Sequence, residues 1–206
     1  MSELMDKVKE LMVLVERIES DTEAPEPVNG KVELSTLAPG EVFKIGEYDF
    51  IVLNHENGKT EVISKGFMAE NIKFGGNRNY KDSNVRKIIE EKIQPIIEAA
   101  IGADNLIEHT VDLTSVDMQN EFGSIECKVR LITFDEARKY NELIADKDLP
   151  DWWWTLTPWS TAERGWNYSV AVVCPSGDIR YNGLGGYGVR PFCILKSNIF
   201  VSRGEQ

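Results

Sequence analysis

The chain has 206 residues, 42% of them hydrophobic and 9% aromatic, which suffices for one mid-sized domain with a real core and excludes disorder along most of its length. Its 23 basic and 34 acidic residues leave a net charge of -11, so the phosphate attraction that dominates nucleic-acid affinity would be repulsive here, and no direct nucleic-acid binding is expected. No apolar run approaches the length of a membrane span, and Met1-Ser2-Glu3 puts an acid where an export signal puts basic residues, so neither membrane insertion nor secretion is expected.

Residues 1–20 place Leu4, Val8, Leu11, Val15 and Ile18 at alternating spacings of four and three, an amphipathic helix with the seam of a short coiled coil. Ser2 can cap it. Residues 21–30 form an acidic linker with Pro25 and Pro27, and this separation makes the helix a candidate for homo-oligomerisation as well as for packing on its own domain. The remaining residues, 31–206, read as a single α+β domain.

That domain begins with a predicted antiparallel meander: Glu41–Ile45, a turn at Gly46-Glu47, Tyr48–Leu53, a turn at Asn57-Gly58, and Thr60–Ile63. A helix capped by Asp82 or Ser83 follows through Val85, Ile88, Ile89 and Ile93. Pro95 interrupts or kinks it before Ile96, Ile97 and Ile101, which reads as a core-facing helix pair ended by Gly102. A third helix runs from about Thr133 or Asp135 to Ile144, with Ala137, Tyr140 and Leu143 on one side. Four of the five tryptophans then fall in Asp151–Trp159. Trp166 to Cys174 alternate as a strand, Pro175-Ser176-Gly177-Asp178 turns the chain, Ile179–Asn182 returns, and Val189–Leu195 closes as one buried strand.

Cys127, Cys174 and Cys193 form no CxxC or Cys/His cluster, so buried reduced cysteines are expected, with Cys174 and Cys193 as possible cross-strand neighbours. The segment Gly183-Leu184-Gly185-Gly186-Tyr187-Gly188 fits G-x-G-x-x-G by spacing, but Val189-Arg190-Pro191 blocks the helix that would receive a pyrophosphate. It reads instead as a tight loop that lets two backbones approach. His55 and His109 lack a nucleophile motif, and Asp104, Asp112 and Asp117 lack calcium-loop spacing, so no catalytic residue, metal or cofactor is expected.

Three pieces carry a family resemblance: Trp152-Trp153-Trp154-Thr155-Leu156-Thr157-Pro158, the hairpin around Ser176-Gly177, and Gly188-Val189-Arg190-Pro191-Phe192. With Asn79–Arg86 upstream, residues 31 to 201 resemble the DUF6273 domain, found in phages and in bacteria carrying prophages. The resemblance implies a C-type-lectin-like fold, as in formylglycine-generating enzymes and phage tropism proteins, with antiparallel strands, two to three helices and a displayed loop face. It implies a place in the bacterial cytoplasm or on a virion, and no established activity. The copper-binding cysteine pair of the formylglycine-generating enzymes has no counterpart, because Cys174 and Cys193 belong to separate strands. The calcium-lectin signatures are absent too.

On a lectin-like frame, Trp159, Arg164, Trp166, Asn167, Tyr168, Arg180, Tyr181, Asn182 and Tyr187 form a recognition set for a protein or glycan ligand, rich in the rings and guanidinium groups that dominate binding faces. The competing reading has Trp153, Trp166 and Tyr168 filling the core, while Trp159, Arg180 and Tyr187 are the residues most expected at the surface. Arg190, set between apolar residues and before a proline, is expected to be a buried structural arginine. Two further functions stay open: an acidic inhibitor of a host nucleic-acid enzyme, and an enzyme of unknown reaction.

Overall fold

Asn57 and Gly58 both take positive φ, 51° and 72°, the backbone of a two-residue primed turn whose twist matches the strands it joins. They connect β3 (Tyr48–Glu56) to β4 (Lys59–Ser64), and Gly46 turns β2 (Val42–Ile45) into β3. The expected meander is therefore present, in a computed structural model that describes residues 30–204. The predicted N-terminal helix with Leu4, Val8, Leu11, Val15 and Ile18, and nearly all of the linker, lie outside the described residues.

The chain continues through β5 (Ala69–Lys73), β6 (His109–Asp112), β7 (Ser124–Cys127), β8 (Val129–Leu131), β9 (Trp153–Pro158), β10 (Val170–Val173), β11 (Ile179–Asn182), β12 (Gly186–Val189), β13 (Pro191–Lys196) and β14 (Phe200–Arg203), with β1 at Lys31–Glu33. A seven-stranded sheet takes the order β1-β14-β2-β3-β4-β13-β8 and a five-stranded sheet the order β11-β10-β9-β12-β5, while β6 and β7 form a separate ribbon. Every pairing is antiparallel except β9 with β12. The described chain is thus mixed α+β, mostly antiparallel, with few helices.

Ser83 caps α1 (Asn84–Ile88), its hydroxyl accepting from the Arg86 amide at 3.0 Å. Pro95 carries no amide hydrogen and its ring crowds the preceding turn, yet it does not split the helix in two. A π turn over Ile89–Ile93 widens the backbone and leads directly into α2 (Gln94–Ile101), so the expected pair is one continuous helical segment. The third helix does divide. A capping box between Thr133 and Glu136 starts α3 (Phe134–Lys139), and α4 (Asn141–Ile144) follows after a break at Tyr140.

Strand alternation divides the core between the two faces of the seven-stranded sheet. Phe50 and Val52 of β3 join a cluster with Ile89, Ile93 and Ile97 of the helical segment, whereas Ile51 and Leu53 join Ala137, Tyr140 and Ile144 of α3 and α4. Trp153 and Trp154 repeat this on β9, the first in the second cluster and the second in the first, both fully buried. Burying a side chain of this size contributes about 3 kcal/mol.

The predicted closing strand is two strands in different sheets. The chain leaves the five-stranded sheet at Val189 and enters the seven-stranded one at Pro191, and Arg190 marks the crossing. Arg190 is fully buried, as expected, donating from Nε to the Ser64 carbonyl at 2.9 Å and from Nη1 to the Ile144 carbonyl at 2.7 Å. Its guanidinium carbon lies 4.7 Å from the centre of the Trp153 ring, and burial lowers its pKa to about 10. One side chain so ties β4, α4 and β9 at the point where the sheets meet.

Candidate functional site: an aromatic shelf on the five-stranded sheet

β11 is the outer strand of the five-stranded sheet, paired to β10 with Ala171 opposite Tyr181 and Val172 opposite Arg180. Beside it lies the β9–β10 connection, residues 159–169, which folds back on itself: the Trp159 amide donates to the Ser169 carbonyl at 2.9 Å and the Trp166 amide to the Thr161 carbonyl at 3.1 Å. Gly165, at φ 75°, makes the reversal that a side chain would strain.

These two segments supply four rings, and Phe134 of α3 joins them as a fifth in one chain of contacts. Phe134 meets Trp159 edge-on at 6.4 Å, Trp159 meets Tyr181 at 4.9 Å, Tyr181 meets Trp166 at 6.3 Å, and Trp166 meets Tyr168 at 5.9 Å. Trp166, Tyr168 and Tyr181 are 44%, 57% and 50% exposed, so the core-filling reading of Trp166 and Tyr168 fails, while it holds for Trp153. Rings left this open in contact with one another form an apolar surface of the kind used in recognition.

Two clefts open on the shelf and share Trp159 and Tyr181. One, of about 530 Å³, adds Trp152, Arg180 and Asn182; the other, of about 340 Å³, adds Asp117, Ser160, Arg164 and Trp166. Six of the nine residues expected at the face therefore line it, with Tyr168 at its outer end. Asn167 sits half-buried on the same loop and lines neither cleft. Tyr187 is a correction. It is half-buried on β12, 4.8 Å from Trp154 and stacked on Trp152 at 5.9 Å, because alternation on that strand turns its ring toward the core. Trp159, too, is only half-buried rather than open, since Phe134 covers one edge.

Three contributors were not legible in the sequence. Asp117 accepts from the Ser115 hydroxyl at 2.5 Å and from the Ser160 hydroxyl at 2.7 Å. Burial acts to raise its pKa, but these two hydroxyls and the Arg164 charge outweigh that and hold the carboxyl below its ordinary range. Ser160, which lies far from Asp117 in sequence, is the second. Arg78, at φ 60°, is the third: it donates from Nε to the Tyr168 carbonyl at 2.8 Å and from Nη2 to the Gly183 carbonyl, pinning the loop to the β11–β12 turn. The Asn182 side-chain oxygen accepts from the amides of Gly183 and Leu184, at 2.7 and 3.0 Å, and shapes that turn.

The glycine-rich segment acts as the close approach expected of it. A Cβ on Gly183 would stand 1.4 Å from the Tyr168 carbonyl oxygen, and one on Gly186 2.3 Å from the Asn71 side chain. The other chemically suggestive residues are engaged in the fold. His55 bonds Thr60 and the Leu37 carbonyl at 2.9 and 2.6 Å, and His109 Nε2 accepts from Arg130 Nε at 2.8 Å. The three cysteines are buried and free, and Cys174 and Cys193 are not cross-strand neighbours, since Cys193 on β13 faces Val62 and Val129 in the other sheet. Among the described residues, no group of three or more His, Cys, Asp or Glu is placed to hold a metal ion, and no helix is long and apolar enough to cross a membrane.

Further clefts lie elsewhere among the described residues: a small one of about 350 Å³ beside the β11–β12 turn, with Lys73, Arg78 and Asn84, and two others. One of about 710 Å³ gathers Lys31, Lys44 and Lys196, and one of about 510 Å³ gathers Glu47, Asp49, Glu70, Asp146 and Asp148. Neither has the aromatic lining of the shelf. Compared with family models, with curated proteins and with solved structures, the chain matches none of them.

Proposed function

We propose that this protein is a non-catalytic binding module, lectin-like in fold and phage- or prophage-encoded as its resemblance to the DUF6273 domain implies, and that it recognises a protein or glycan through the aromatic shelf. The observation that carries the reading is the line of rings from Phe134 to Tyr168, of which Trp159, Tyr181 and Trp166 line two joined clefts. The mixed α+β architecture, with the β9–β10 loop and the β11–β12 turn displayed at one side, is compatible with a lectin-like fold. Few rotatable bonds make such rings effective contacts, since little side-chain entropy is lost when a ligand covers them.

The reading is tested by screening the full chain against a glycan microarray and a displayed peptide library, with Trp159→Ala and Tyr181→Ala alongside. The expected result is a ligand that both variants bind at least tenfold more weakly, with melting temperatures close to that of the parent chain. Ligands bound equally by parent and variants would place recognition elsewhere.

The second reading is an acidic inhibitor of a host nucleic-acid enzyme. It draws support from a cleft between β3, β4, β5 and residues 146–150, where Glu47, Asp49, Glu70, Asp146 and Asp148 outnumber Lys65. Clustered charge steers a basic groove toward it, and that attraction is screened by salt. An inhibitor of this type loses affinity for a nuclease target as salt is raised, and Glu70→Lys with Asp148→Lys abolishes inhibition. Salt-independent inhibition argues against it.

A further inference from the structure

Resting on the reading of the shelf as a binding face, we infer that its ligand is a neutral glycan of at least two sugar rings, held by ring stacking on Trp159 and Tyr181 and by a hydroxyl clamp between Asp117 and Arg164. The geometry of the rings selects the ligand class first. An aromatic cage for an alkylammonium needs its walls far enough apart for the cation to sit between them, with each ring face presented to the charge. Trp159 and Tyr181 are instead in contact, 4.9 Å between centroids at 39°, and Trp166 stands almost at right angles to Tyr181, at 80°. Rings this close overlap rather than lie side by side, so the floor is Tyr181, half exposed and laid against Trp159, with Trp166 as one upright wall. A floor takes a flat ligand with an apolar face, and the carbon–hydrogen face of a pyranose is one.

The rim supplies what the polar edge of that ring requires. Asp117 is exposed and lines the smaller cleft, and each of its carboxylate oxygens already accepts one hydroxyl, from Ser115 or Ser160. A carboxylate has room for about four such bonds, so acceptor capacity remains, and its orientation is fixed before any ligand arrives. Arg164 lines the same cleft, close enough to lower the Asp117 pKa, and its guanidinium has no hydrogen-bonded partner among the described residues. One ionised acceptor beside one ionised donor matches a vicinal diol: one hydroxyl donates to Asp117 while its neighbour accepts from Arg164, both as charge-assisted bonds.

Charge complementarity also separates the glycan from its competitors. A cationic peptide side chain entering this cleft faces Arg164, and an anionic one faces Asp117, whereas a neutral diol meets favourable charge at both. The length of the ligand follows from the second cleft, which shares Trp159 and Tyr181 and adds Trp152, Asn182 and Arg180, whose charge is paired with Asp178 at 3.1 Å. The Asn182 oxygen is held by the turn, which leaves its amide nitrogen as the donor toward a further sugar.

The test is affinity electrophoresis of the full chain through gels containing soluble neutral polysaccharides, namely a β-glucan, a mannan, a galactan and a xylan, with a polyuronate and chitosan as charged comparators. A microarray of neutral oligosaccharides extends the panel. Retardation by a neutral polysaccharide is expected, falling at least tenfold in affinity for Tyr181→Ala and for Asp117→Asn. Tyr181 lies on an outer strand and Asp117 on an exposed turn, and circular dichroism confirms that both variants fold. Binding to the charged polymers alone, or binding unaffected by Asp117→Asn, overturns the inference. Selection of peptides that lose affinity for Tyr181→Ala, with no neutral glycan bound, also overturns it while leaving the shelf as a binding face. No ligand from either source overturns both.

Discussion

Gly183 sits where the two loops of the shelf touch, and its missing side chain sets their distance. With a Cβ 1.4 Å from the Tyr168 carbonyl oxygen, no rotamer change relieves the clash, because the obstructing atom is backbone that Arg78 already holds. Gly183→Ala must therefore push the β11–β12 turn away from Tyr168 and break one or both Arg78 hydrogen bonds. Forced displacement of packed backbone costs about 1–3 kcal/mol. Urea denaturation followed by tryptophan fluorescence should show a loss in that range. Ligand affinity should fall further, since Tyr168 and Tyr181 are carried on the segments that separate. An alanine variant as stable as the parent would mean that the loops are not pressed together as described.

At the scale of elements, β6, β8 and α3 are joined through Arg130, which is nearly buried and forms a bidentate pair with Glu136 at 2.6 and 2.7 Å while its Nε donates to His109 Nε2. That last bond requires a neutral imidazole with its hydrogen on Nδ1, facing the Ile107 carbonyl at 3.1 Å. Burial and the Arg130 charge both lower the His109 pKa below its ordinary value of 6.5. A histidine with a depressed folded pKa contributes fully above its unfolded value, and the contribution is lost as pH falls through the folded one. Stability should thus begin to decline below about pH 6.5. Glu136 extends the loss to lower pH, because its own pKa is depressed: burial acts to raise it, but Arg130 and the Thr133 contacts prevail. His109→Gln should flatten the upper part of this decline in urea midpoints measured between pH 4 and 7, and an unchanged slope would assign it to other groups.

The same elements show what a sequence discloses and what it withholds. Asn57-Gly58, Ser83 and Thr133 announced a turn and two helix starts because each signal is local, a backbone conformation or a cap within a few residues. β5, with the sequence Ala69-Glu70-Asn71-Ile72-Lys73, has no alternation and Ile72 as its one branched residue, and becomes a strand because β12 pairs with it. The break at Arg190 was hidden for the opposite reason. Val189 to Leu195 is apolar apart from Arg190 itself, and periodicity cannot reveal that one run serves two sheets. At the site, the aromatic residues stand out from composition but their exposure does not, since Trp166 and Tyr168 are open where Trp159 and Tyr187 are the ones expected to be; Asp117 with Ser160, and Arg78 with Tyr168 and Gly183, are contacts between distant segments that only the fold creates.

For the whole molecule, the decisive variable is how many shelves one particle presents. β1 begins at Lys31 and its ladder with β14 is complete, so a chain starting at Asn29 keeps every described strand pairing. Residues 1–29 add three basic and eight acidic side chains and the seam of Leu4, Val8, Leu11, Val15 and Ile18. If that seam assembles the chain, each added shelf binds an immobilised glycan at the high effective concentration set by the linker, and apparent affinity rises by about 10²-fold or more without any new contact. Light scattering should then give a multiple of the protomer mass for the full chain and the protomer mass for the chain from Asn29. Binding to a polysaccharide-coated surface should weaken by a similar factor on truncation, while affinity for a free oligosaccharide stays the same. Equal masses for the two chains would remove multivalency. A weak single shelf is a poor adhesive on its own, so that outcome would shift the functional weight to the acidic cleft, where one site per molecule suffices for an inhibitor.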